Sequence, residues 1–115
     1  MTAAQLRGPA QPAPVRDPTL QRGLDLLRQR RFHEAEFPLT AALAKNPIGF
    51  EELHFLAVLR LQQGRELEAL DLVTRALKQR GEAPEALTLQ ASLRARIERD
   101  QERAAPELSG RSVNV

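Results

Sequence analysis

Residues 50–83 read FEELHFLAVLRLQQGRELEALDLVTRALKQRGEA, and the organisation of the chain turns on them. Helical pattern runs from about 50 to 63 and again from 66 to 79, broken by the turn signal QQGR at 62–65 and closed by QRGEAP at 79–84. Working outward, similar punctuation recurs as RQRR near 28–31 and KNPIG at 45–49. The breaks define five helix candidates, at about 17–29, 32–45, 50–63, 66–79 and 84–103. Their connections are short, so neighbours are expected to pack antiparallel.

The apolar residues are mostly Ala and Leu, and Phe is the only aromatic type, which favours helices over strands and implies an all-α class. With 115 residues and no cysteine, the chain has room for one small domain held by packing rather than by disulfides or thiolate metal sites. A formal net charge of +2 makes no case for a nucleic-acid partner. No apolar run approaches the roughly 20 residues that cross a bilayer, and MTAAQLRGPAQPAP lacks the apolar core of a signal peptide, so a cytoplasmic protein is expected. Residues 1–16, rich in proline, and 105–115, small and polar, read as flexible tails around a domain at 17–104.

Within that domain the chain matches itself at an offset of thirty-four residues. Glu34, Ala35, Ala42 and Leu43 fall on Glu68, Ala69, Ala76 and Leu77, and Leu39 falls on Val73. Leu27 falls on Leu61, Leu53 on Leu87, and Gly23, Ala57 and Ala91 form one series of small residues. One hairpin cannot bury its apolar stripe alone, so small residues are expected where paired helices cross closely and large ones where pairs stack. The register also settles RFHEAEFPLTAALAKNP at 31–47, where Pro38 faces Leu72: it predicts a helix kinked near Phe37 or begun late, with Pro38 in its first turn.

This pattern resembles the tetratricopeptide repeat, through Leu53, Leu56, Ala57, Gly64, Ala69, Val73, Ala76 and Leu77 in one copy and Gly23, Leu26, Phe32, Ala35, Leu39, Ala42 and Pro47 in the other. The chain departs from it at Arg22, where the family prefers an apolar residue, at Arg30, where it prefers Gly, and at Leu67, one place after the usual apolar residue. The resemblance implies helix hairpins stacked as a short right-handed superhelix, an α-solenoid of about five helices: repeat one at 16–49, repeat two at 50–83 and a capping helix at 84–103. It also implies a non-catalytic scaffold or adaptor, whose concave groove binds a peptide or a partner helix. By register the groove takes Leu20, Leu24 and Leu27 from the first copy, His54, Phe55, Val58 and Leu61 from the second, and Thr88, Ser92, Arg96 and Arg99 from the cap. Such a groove suits an amphipathic helix or hydrophobic peptide, with a homodimer through the same surface as the alternative.

Signals of catalysis are thin. His33 and Glu34 begin like a zincin helix, but position 37 is Phe where a second His is needed, and His54 has no companion at metal spacing. No Gly-rich phosphate loop is present, and Ser92, Ser109 and Ser112 lack a nucleophile's strand-turn-helix setting. The acids at helix starts and the Arg28, Arg30, Arg31 cluster at a helix end read as helix-end electrostatics. No enzyme activity, cofactor or metal is therefore expected. Two other functions fit the resemblance: the repeat segment of a bacterial glycosyltransferase resembling the O-linked N-acetylglucosamine enzymes, and a small secretion chaperone.

Overall fold

A computed structural model describes residues 16–114, the side chains as far as 103, and every regular element among them is helical. The helices are α1 (Pro18–Arg28), α2 (Phe32–Lys45), α3 (Phe50–Gln62), α4 (Glu66–Gln79) and α5 (Pro84–Asn114). Asp17 opens α1 as N-cap, accepting from the amides of Thr19 (3.0 Å) and Leu20 (3.2 Å), with Pro18 in the first turn.

Side-chain pairs give the helix directions. Lys45 at the end of α2 reaches Asp17 at the start of α1 (3.2 Å), and Arg60 near the end of α3 reaches Glu36 near the start of α2 (2.7 Å). Arg60 also reaches Glu68 near the start of α4 (3.5 Å), and Arg96 of α5 meets Glu66 at the start of α4 (3.0 Å). Consecutive helices therefore run antiparallel. Packing is densest within the pairs α1/α2 and α3/α4, and α1 and α5 each also touch α3, which is thus the central helix.

The turn geometry recurs at the thirty-four-residue offset. Gln29 and Gln63 close α1 and α3 at φ −81° and −87°. Arg30 and Gly64 follow at φ +63° and +79°, the left-handed region. Arg31 and Arg65 then open α2 and α4 at φ −94° and −97°, each pairing with the glutamate three residues on, Glu34 or Glu68. Only a residue without a Cβ enters the left-handed region freely, so Arg30 carries strain that Gly64 avoids. Its guanidinium lies 5.4 Å from the Phe32 ring centroid, a partial compensation. Arg30→Gly is expected to stabilise the fold by about 0.5 kcal/mol, and Gly64→Ala to destabilise it by about 1 kcal/mol, read as opposite shifts of the urea midpoint.

The core is a continuous cluster that includes Leu20, Leu24, Leu27, Ala35, Leu39, Leu53, Leu56, Ala57, Leu59, Val73, Ala76 and Leu93. Gly23 and Ala57 are buried as the small-residue series requires, but Ala91 is exposed and Leu87 is 44% exposed. The reason is topological: α4 packs on α3, whereas among the described residues no second helix follows α5 to cover the same face. Leu67, one place late, is 70% exposed. The place itself holds Glu66, tied to Arg96.

Two expectations need correction. Helix α2 starts at Phe32 and contains Pro38 in its interior, so it does not begin late; Pro38 is buried there among the core residues. Helix α5 continues to Asn114 instead of ending at 103. Apolar periodicity reports which face of a helix is buried, so a helix whose last turns lack an apolar stripe is invisible to it. The proline-rich segment read as a tail lies outside the described residues, apart from Arg16.

Candidate interaction surface

Helix α3 supplies the surface because it is packed from several sides and still keeps one row of side chains half-buried. Leu53, Leu56, Ala57 and Leu59 fill the core, while Glu51, His54, Phe55, Val58 and Leu61 stand beside that stripe and are only partly covered. Their three- and four-residue spacing puts them on one side of the helix.

At the N-terminal end of this row the rings form a shelf. Phe50 and His54 stack with centroids 5.7 Å apart and planes 6° from parallel, and Phe55 meets His54 edge-on at 5.3 Å. Arg16 donates two hydrogen bonds of 3.0 Å to the Glu51 carboxylate and lies 6.0 Å from the Phe55 ring centroid. On the other flank Arg80 covers Phe50 at 4.6 Å. Beside it a shallow cleft of about 530 Å3 is lined by Phe50 and the turn from Arg80 to Glu85.

His54 is the polar member of the shelf. Its Nδ1 is buried without a hydrogen-bond partner. Burial lowers its pKa, against the opposing pull of Glu85 and Glu51, so the ring is neutral at pH 7. The shelf thus presents neutral rings, with a guanidinium against Phe50 at one side and another against Phe55 at the other.

The expected groove is only partly assembled. His54, Phe55, Val58 and Leu61 are brought together on α3. Leu20, Leu24 and Leu27 are 2%, 3% and 9% exposed, and as core residues they offer no contact surface. Arg96 points to Glu66 of α4, Arg99 is exposed, and Thr88 and Ser92 are exposed on α5. Phe50, Arg16 and Arg80 belong to the surface and were not foreseen; for Phe50 the signal was its position four residues before His54.

Among the described residues no three His, Asp or Glu side chains are grouped to hold a metal ion, and no helix is long and apolar enough to cross a membrane. Compared with family models, curated proteins and solved structures, the chain has no match.

Proposed function

We propose that the chain is a tetratricopeptide-like array of two hairpins and a further first helix, stacked as a short right-handed superhelix, and that it serves as a non-catalytic module for protein binding. The recurrence of turn conformation at Gln29/Gln63, Arg30/Gly64 and Arg31/Arg65 supports the repeat reading, because matched backbone at a fixed offset is what stacked copies of one unit require.

The half-buried row His54, Phe55, Val58 and Leu61 carries the functional reading. Three apolar side chains, Phe55, Val58 and Leu61, beside the imidazole of His54 can take the apolar face of an amphipathic helix or an apolar peptide. Arg16 is engaged by Glu51, which leaves it poorly placed as a clamp for a terminal carboxylate.

The test is affinity capture from the native lysate, identified by mass spectrometry and compared with the Phe55→Ala, Leu61→Ala double variant. Loss of the captured protein by tenfold or more, with helicity unchanged by circular dichroism, is expected. Equal capture by a folded double variant excludes this row as the binding surface.

A further inference from the structure

Arg16 fixes where the start of the chain joins the fold. Its guanidinium donates two hydrogen bonds of 3.0 Å to Glu51 and lies 6.0 Å from the centroid of the Phe55 ring. The fifteen residues before it therefore begin within one arginine side chain of the Phe55 end of the α3 row. That row is open where its counterpart is closed. On α1, thirty-four residues earlier, Leu20, Leu24 and Leu27 are buried, whereas His54, Val58 and Leu61 on α3 are half-buried.

The sequence just before Arg16 carries a pattern that matches the row. Residues 6–15 read LRGPAQPAPV, with prolines at 9, 12 and 14. Proline favours the polyproline II conformation, which has three residues per turn and rises about 3.1 Å per residue. Read at that period, Leu6, Pro9, Pro12 and Val15 share one edge, and Arg7, Ala10 and Ala13 share the next. One turn from Val15 back to Pro12 advances about 9 Å, and so do the six α-helical steps from Phe55 to Leu61.

We propose that residues 6–15 of this chain lie along the α3 row in the polyproline II conformation, with Val15 against Phe55 and Pro12 against Leu61, and so occupy the surface that a partner must reach. The competition rests on the reading of this row as the partner site; the docking does not. Proline-rich segments suit aromatic-lined surfaces because the pyrrolidine ring is apolar and the preformed conformation has little entropy left to lose. Tethering strengthens the contact, since a short linker sets a local concentration in the millimolar range. A surface too weak to hold this sequence as a separate peptide thus holds it as part of the chain. An incoming partner binds only molecules whose row is free, and its apparent affinity falls by that fraction.

Nuclear magnetic resonance of the full chain is the test. Nuclear Overhauser contacts are expected from Pro12 to the methyl groups of Val58 and Leu61. Pro12→Asp should shift the amide signals of Val58 and Leu61, whereas Ala13→Asp, which puts the same charge on the neighbouring edge, should leave them in place. Circular dichroism of both variants should match the parent. In affinity capture, Pro12→Asp should raise the yield of a protein that the Phe55→Ala, Leu61→Ala variant loses by about threefold or more, and Ala13→Asp should not. Absent Pro12 contacts, equal signal shifts in the two aspartate variants, or capture that the row variant loses and Pro12→Asp leaves unchanged would each overturn the proposal. Capture indifferent to the row variant, with the Pro12 contacts present, would remove the partner site and leave the docking standing.

Discussion

Replacing Gly23 by alanine is expected to destabilise the fold by about 1–2 kcal/mol, although alanine is the better helix former by about 1 kcal/mol. A Cβ at Gly23 would lie 2.6 Å from Cδ2 and 2.7 Å from Cγ of Leu39, and 3.3 Å from the Leu39 backbone nitrogen. Leu39 is fully buried, so its side chain has nowhere to withdraw. The pair α3/α4 solves the same crossing differently, with Ala57 and Val73 thirty-four residues on, both fully buried. Leu39→Val alone removes a buried methylene and costs about 1 kcal/mol. The double variant Gly23→Ala, Leu39→Val reproduces the second pair, and should be less destabilised than the sum of the singles by at least about 1 kcal/mol. Urea midpoints of the four proteins close this cycle; additive effects would mean that Gly23 and Leu39 do not share one packing volume.

That pair also shows what the sequence could and could not disclose. The offset brought Gly23 onto Ala57 and Leu39 onto Val73, and turn residues such as Gly64 and Pro84 delimited the helices closely, because backbone conformation is decided locally. Whether a given leucine is core or surface is decided by what lies across from it. Leu20, Leu24 and Leu27 carry the same amphipathic signal whether they line a groove or fill a core, and they fill the core. Leu87 and Ala91 repeat Leu53 and Ala57 in sequence, but among the described residues no helix covers them, and they are exposed. The aromatic shelf was legible only in part: Phe50, His54 and Phe55 are near neighbours in the chain, but Arg16 and Arg80 reach them from separate elements. Phe37, Ala41 and Ala44 share the helical period of the core residues beside them. The exposure of Phe37 and Ala44 shows in sequence only by contrast with Asp71 and Lys78.

Acidification should remove a definite part of the stability through the bridge between the two hairpins. Arg60 is only 9% exposed and donates to both oxygens of Glu36 at 2.7 and 3.0 Å, with Gln63 adding a hydrogen bond at 3.1 Å. The hydrogen bonds from Arg60, then that from Gln63, hold the Glu36 carboxyl at a pKa of about 2 against the opposing effect of burial. A carboxylate whose folded pKa is depressed contributes stability above its unfolded pKa, near 4.5, and loses that contribution as pH falls through the folded value. The window is therefore from about pH 5 down to about pH 2. Because the Glu36 side chain is 38% exposed, solvent screening limits the loss to about 1–2 kcal/mol. Glu36→Gln should remove this part of the acid dependence. Arg60→Ala should cost about 2 kcal/mol at pH 7, since it leaves Glu36 without its cation, and distinctly less in the Glu36→Gln background. The place equivalent to Arg60 in α1 is Leu26, on a helix with no described hairpin before it. A polar bridge is useful only where one hairpin must be keyed to the last, so the cost of losing Arg60 should appear mainly in the coupling of the two hairpins. Hydrogen exchange of Arg60→Ala should then show α1 and α2 opening more often than α3 and α4, while equal loss of protection in all four helices would place the bridge in the common core instead.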